Sequence, residues 1–309
     1  MTGSEQREAF ELLATRIHPE GKLLRTWELE GGVTAEVTAF EIARPDGGTE
    51  RLVARRQGSR RLPAGHEFRL LQLLSAHRVP APRPRYLDAG GEIFSAPCVV
   101  VDYVDGRPGP ASAEEAEFLR QFTTALAGIH RVDRSTANVS FLPELELDAE
   151  VRRHARVDGA DAHVRHALEA APPLARRNAS VLLHGDFWPG NTLWKNGRLV
   201  AVVDWEDAAV GDPIVDVANA RLELLWALGE EAMEEFTRRY RVMMPGVDLT
   251  DLPHWELRAD LRLSPRIADW GLDEATERTM RAGREAFVAQ ALERLTQPAR
   301  ETNPPTIDP

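Results

Sequence analysis

Cysteine and long apolar runs are scarce in this chain, and its bases are outnumbered by acids, 38 to 49. Cys98 is the one cysteine in 309 residues, so no internal disulfide can form. Its place in the apolar run "APCVVV" suits a buried thiol in a reducing, cytoplasmic setting. No apolar stretch approaches the roughly 20 residues that a membrane-spanning helix needs, so no membrane partner is expected. The N-terminal "MTGSEQREAFELLATRI" has neither a basic start before an apolar core nor a small-residue cleavage site, and does not read as a secretion signal. A formal net charge of -11 argues against nonspecific binding to nucleic acid. The positive charge that exists is concentrated. Between Arg51 and Arg85 stand nine arginines against the single acid Glu67, a local charge of +8 that leaves -19 for the rest. The early region suits phosphate and the later ones amines, although solvated helix faces give the same sums.

The length favours two lobes or one large unit with room for a cleft. The first hundred residues read mainly as strands. Alternation in "VTAEVTAFEIA" (33–43), the turn "RPDGG" (44–48) and "RLVARR" (51–56) make a hairpin. One helix follows in "LPAGHEFRLLQLLSAHR", ended by the Pro-broken "VPAPRPRYLD", and "APCVVVDYV" (96–104) reads as a buried strand. The Pro- and Gly-rich "DGRPGPAS" (105–112) reads as a linker. Beyond it the pattern turns helical. Ser112 and Glu115 form a capping-box signature, and helices are expected over about 148–170, 212–228, 230–242 and 253–297. Strands "SVLL", "TLW" and "LVAVV" interrupt them at 180–204, and the polar, Pro-rich tail 297–309 is expected to be disordered.

The interruption carries "HGDFWPGNTLW" (184–194), followed by "AVVDWEDA". Asp186 and Asn191 lie five residues apart on a loop turned by Pro189-Gly190, so both side chains can face one point. Asp204 ends the apolar strand that follows. Carboxylate and amide oxygens gathered in this way suit a hard cation such as Mg²⁺, which takes few protein oxygens beside phosphates and water. Asn191 and Asp204 would hold the metal, leaving Asp186 to orient and deprotonate a substrate hydroxyl. Ordinary turn chemistry also favours Asp and Asn in loops, but does not account for the ordered spacing.

The H-x-D-x-x-x-x-N loop, the strand and D-W-E after it resemble the aminoglycoside phosphotransferase and choline kinase superfamily. "VVDWEDAAVGDPIVDVA" (202–218) is similar to that family's continuation, and the resemblance extends over roughly 20–290. It implies an α+β, bilobal protein-kinase-like fold. The implied division is a β-rich nucleotide-binding lobe with one helix over 1–104 and a larger, mainly helical catalytic and acceptor-binding lobe over 105–296. In "ELEGGVTAEVTAF", Gly31 and Gly32 would let backbone approach phosphates. Arg55 stands where the family has a basic residue on the third strand, with Glu67 as its helix partner. Its planar fork differs from a lysine, and a merely solvated arginine is the plain alternative. Backbone from Asp102 through Tyr103 to Val104 would be the hinge against which a purine packs, with ATP and GTP both open. His184 would hold the loop by hydrogen bonding, and Asp216 would brace it.

The function implied is Mg²⁺-dependent transfer of a nucleotide γ-phosphate to a hydroxyl of a small acceptor. The acidic stretches 144–150 and 229–235 suit a cationic acceptor such as an aminoglycoside, and equally suit water. Trp188, Trp194 and Trp205 read as packing, with Trp188 placed to border an acceptor. Two other readings stand beside this one. The first is a catalytically silent, kinase-like nucleotide-binding module. The second is a metal-dependent hydrolase using His184 and Asp186, which lacks a second ligand cluster.

Overall fold

The computed structural model describes residues 3–29, 36–56, 62–109, 114–145, 149, 162–171 and 174–296. The chain forms two compact units, Met1–Pro143 with His184–Val210, and Glu144–Leu183 with Gly211–Pro309. The units therefore do not divide at 104/105. The linker segment instead ties into the hairpin that follows the 184–191 loop. β6 (Arg107–Pro108) pairs with β8 (Thr192–Lys195), and β8 with β9 (Arg198–Val202).

In the first unit, β1 (Lys22–Glu28), β2 (Glu36–Ala43), β3 (Thr49–Arg56), β4 (Pro84–Asp88) and β5 (Cys98–Asp102) form an antiparallel sheet ordered β1-β2-β3-β5-β4. The β2–β3 hairpin turns where the sequence places it. Asp46 accepts a hydrogen bond from the Gly48 amide, and Gly47 takes the left-handed conformation that glycine tolerates. Alternation assigns the two faces. Phe40, Ile42, Leu52, Ala54, Cys98 and Val100 form one, which helix α1 (Gly3–Ile17) covers with Ala9, Phe10, Leu13 and Ala14. Phe10 meets Phe40 and Phe94 at ring centroid distances of 5.3 and 5.0 Å. The sequence reading has one helix in this region; α1 is a second. β4 is a further addition, formed within the Pro-broken stretch that ends the helix.

Helix α2 (Ala64–Ala76) packs Glu67, Leu70, Leu71 and Leu74 inward. Helix α3 (Glu115–His130) starts with Glu114 at its cap, and Ser112 lies outside the described residues. Its Phe118 and Phe122 stack with each other and against Trp194 and Phe187. The Gln121 amide bridges the Leu199 N–H and the Gly197 carbonyl, which fixes the β8–β9 hairpin to α3.

The second unit is mainly helical. It holds α4 (Ala162–Ala170), β7 (Val181–Leu183), α5 (Ile214–Leu228), α6 (Glu230–Met243), α7 (Leu252–Leu263) and α8 (Glu274–Thr296). The single helix expected over 253–297 is two. Pro265 opens a 3-10 stretch over Ser264–Trp270, Gly271 turns left-handed, and Asp273 accepts hydrogen bonds from the Ala275 and Thr276 amides at the start of α8. Most of the 148–161 portion of the helix expected over 148–170 lies outside the described residues, as does the tail 297–309. No helix among the described residues is long and apolar enough to cross a membrane.

Candidate functional site

The first unit contains a pocket between its sheet and the β8–β9 hairpin. Val37, Val53 and Val101 from the sheet and Leu71 from α2 form one apolar wall, with Leu193 and Val203 among the lining on the hairpin side. Val53 and Val101 are cross-strand partners, as are Val37 and Arg55, so the face opposite α1 supplies both the wall and the arginine. Asp102, Tyr103 and Val104 also line the pocket. The Asp102 and Tyr103 amides donate to the carbonyls of Arg83 and Arg51. Val104 therefore offers the one amide of the three not bonded among the described residues. Gly31 and Gly32 lie outside the described residues.

Arg55 joins three elements at the polar end of this pocket. Its Nη1 lies 3.1 Å from Glu67 Oε1, and its Nη2 donates to Asp204 Oδ1 at 2.6 Å. The Arg55 side chain is 11% exposed, Glu67 1% and Asp204 37%, so the cluster is sealed behind the arginine and open at the aspartate. Burial works to lower the Arg55 pKa, but Glu67 and Asp204 outweigh it and hold the guanidinium above its usual value. Arg56 points to the other face, over the Phe94 ring and paired with Glu36.

The loop 184–191 is held from inside. Phe187 is fully buried, with its ring centroid 4.5 Å from that of Phe122, so its neighbours Asp186 and Trp188 turn outward. His184 is fully buried. Its Nε2 lies 2.9 Å from the Val203 carbonyl and its Nδ1 accepts from the Asp186 amide at 3.2 Å, which selects the neutral Nε2–H tautomer. The Asn191 amide donates to the Asp186 carbonyl at 2.9 Å and to Asp186 Oδ2 at 3.1 Å. That orientation leaves Asn191 Oδ1 as its atom not engaged by a donor among the described residues. The Val203 amide donates to the Asn191 carbonyl, which sets Asp204 beside Asn191 on the pocket wall. Asp204 adopts φ 65° and ψ 61°, a left-handed conformation that costs energy outside glycine and turns its carboxylate toward Arg55. Gly185 also has positive φ, and a Cβ there would collide with the Asp207 carbonyl.

Asn191 and Asp204 offer an amide oxygen and a carboxylate to a cation. Among the described residues no group of three or more His, Cys, Asp or Glu side chains could hold a metal. This sparse oxygen set fits Mg²⁺ completed by phosphate oxygens and water rather than a closed protein cage. Trp194 and Trp205 are buried, whereas Trp188 is 37% exposed and packs its ring over Gly190. Asp216 is fully buried in the first turn of α5, in the second unit. Of the acidic stretches, 146–148 and 150 lie outside the described residues. Glu230, Glu234 and Glu235 are engaged by Gln290, Arg221 and Arg239.

The apolar wall was not singled out from the sequence. Its signal is the alternation that places Val53 two residues before Arg55 and Val101 two before Tyr103.

A β-rich unit carrying a helix glutamate against a strand arginine, with a D-x-x-x-x-N loop and a D-W-E turn beside the same pocket, defines the protein-kinase-like fold. The chain belongs to the phosphotransferase enzyme family, whose model matches residues 28–252. Acyl-CoA dehydrogenase family member 10 of Mus musculus is 26% identical over an alignment of 182 residues that covers 52% of this chain and 17% of that protein. The chain thus spans under a fifth of that relative. Among solved structures, macrolide 2'-phosphotransferase type I superposes with a TM-score of 0.61 at 22% identity, over 96% of this chain and 99% of that one. A thermostable mutant of aminoglycoside phosphotransferase APH(4)-Ia, in a ternary complex with AMP-PNP and hygromycin B, superposes with a TM-score of 0.57 at 18% identity, over 93% and 96%. At these identities the two structures share the fold.

Proposed function

We propose that this member of the phosphotransferase enzyme family transfers the γ-phosphate of ATP or GTP to a hydroxyl of a small molecule, with Mg²⁺ as cofactor. The observation that carries the reading is the Arg55 bridge between Glu67 and Asp204, at the end of an apolar pocket also lined by Asn191 and by Val104, whose amide has no partner among the described residues. The walls suit a purine, the Val104 amide its hydrogen-bonding edge, and Arg55 its phosphates. Gly31 and Gly32 are assigned to the phosphates as well. Asn191 and Asp204 would hold a divalent cation, which would neutralise phosphate charge.

In the proposed reaction Asp186 orients the acceptor hydroxyl and takes its proton as the oxygen bonds to the γ-phosphorus. The bond to the β-phosphate oxygen breaks, and phosphorylated acceptor and nucleoside diphosphate leave. Asn191 holds the Asp186 carboxylate in position, and neutral His184 holds the loop. The APH(4)-Ia complex contains hygromycin B, which supports an aminoglycoside-like antibiotic as one acceptor class, with other small hydroxylated metabolites as the second. The arginines on the acidic residues near 229–235 weaken the case for a strongly cationic acceptor. A cytoplasmic setting fits Cys98, whose burial pushes its thiol up to about 12 and leaves it unreactive.

A phosphate-transfer screen over aminoglycosides, macrolides and small amino alcohols, run with ATP and with GTP, tests the reading. Metal-dependent transfer to one class is expected. Metal-dependent nucleotide binding with no transfer to any acceptor or to water would favour the silent module.

A further inference from the structure

A second chain of charges reaches the hinge from the side opposite the pocket, and the proposed reaction makes no use of it. On edge strand β4, Pro84 pairs with Val101 and Tyr86 with Val100, so Arg85 is the extra residue of a bulge. A bulge re-aims a side chain that regular pairing would direct elsewhere. Here Arg85 Nη1 donates to Asp102 Oδ1 at 2.8 Å, and Nη2 reaches Glu50 Oε1 at 2.5 Å. The other Glu50 oxygen lies 3.0 Å from His18 Nε2. Four side chains, from just past α1, the start of β3, the bulge of β4 and the end of β5, thus form one continuous chain. Their exposures, 15–33%, place them at a partly screened rim.

The end of this chain is the residue that opens the hinge. Asp102 is one of the residues lining the pocket, and its carboxylate is held by Arg85. Two residues on is Val104, which lines the pocket and whose amide has no partner among the described residues. His18 and α1 precede the segment 28–252 matched by the family model, so the chain couples an element outside that segment to the hinge.

We propose that Arg85 is a positioning residue for the nucleotide base. Through Asp102 it sets where the Val104 amide sits, and Glu50 and His18 anchor it to the α1 end of the sheet. The inference rests on the nucleotide reading above. Partly exposed ion pairs carry modest energies, so the effect on affinity is small and graded along the chain.

The test is calorimetric binding of Mg-ATP and Mg-GTP to the full-length protein, with slow transfer of phosphate to water as the kinetic readout. Arg85→Met is expected to raise Kd and KM for the nucleotide about fivefold while kcat at saturation holds. Arg85→Lys is expected to restore most of the affinity, and Glu50→Gln to lose about twofold. A merely structural role would lower kcat and Tm together and leave KM alone, and that result would overturn the inference. So would Arg85→Met binding as tightly as wild type while wild type binds well. If Arg85→Met does not fold, Asp102→Asn read by binding alone carries the same expectation and the same overturning result. Wild type binding neither nucleotide would instead overturn the nucleotide reading, and this inference with it.

Discussion

Each compact unit buries an arginine between carboxylates, with different consequences. In the first, Arg55 joins Glu67 to Asp204, and the last member opens onto a pocket. In the second, Arg221 is 1% exposed and donates to Glu256, which is fully buried, to Glu234 and to the Thr237 hydroxyl. Arg294 takes the other Glu256 oxygen, and Arg284 grips Asp260 with two bonds. Desolvation pushes the Glu256 pKa up despite these partners, the mark of a charge sealed away from water. The same residue types thus do two jobs. A buried ion pair whose oxygens are all taken by protein donors holds helices in register. One with a member facing a cavity can exchange its partner for a ligand.

Substitutions can break this contrast at several points. The largest effect is expected from Asp186→Ala, which should lower transfer by about 10² to 10⁴-fold while nucleotide Kd stays near wild type, read by steady-state assay beside calorimetry. If most of the wild-type rate survived, the base would lie elsewhere. Glu256→Ala leaves Arg221 and Arg294 without their shared carboxylate, and should cost about 3 kcal/mol in chemical denaturation with nucleotide Kd of the folded protein unchanged. Arg55→Met should show the opposite balance in its ligand readout. Nucleotide affinity should fall by about tenfold, with Arg55→Lys recovering part of it, because a lysine keeps the charge without the fork.

The smallest effect concerns pH. Thr276, through its hydroxyl and amide, holds the Asp273 carboxylate below its usual value. A carboxylate with a depressed folded pKa contributes stability above its unfolded pKa, and that contribution is lost as pH falls through the folded one. Asp273→Asn should therefore flatten the acid limb of the stability curve slightly while nucleotide binding is unmoved. A steeper acid limb in Asp273→Asn would contradict the assignment.

How much of this was legible in the sequence depends on the range of each contact. The β2–β3 hairpin, α2, β7 to β9 and the Asp186, Asn191 and Asp204 spacing are written locally, as alternation, turn residues and short ordered gaps. Helix α1 was not, because Ala9, Phe10, Leu13 and Ala14 form a thin apolar stripe that gains meaning only against Phe40 and Phe94. The division of α7 from α8 depends on a 3-10 stretch whose Pro265 and Gly271 are weak punctuation in an otherwise helical pattern. The unit boundary escaped local reading because β6 pairs with a strand far along the chain. In the site, the residue types were readable but not their partners. Arg55 and Asp204 meet across 149 positions, and no local pattern encodes that bond. The bulge at Arg85 is invisible for the same reason, since it exists only in the pairing of β4 with β5.

The central claim is that the open cluster of the first unit is a metal-dependent nucleotide site. Titration of ATP into the wild-type protein and into Asp204→Ala, each with and without Mg²⁺, tests it most directly. Binding that is strengthened by Mg²⁺ in the wild type, with that strengthening lost in Asp204→Ala, is the result predicted. Equal binding with and without the metal, or no binding of ATP or GTP at all, would contradict it.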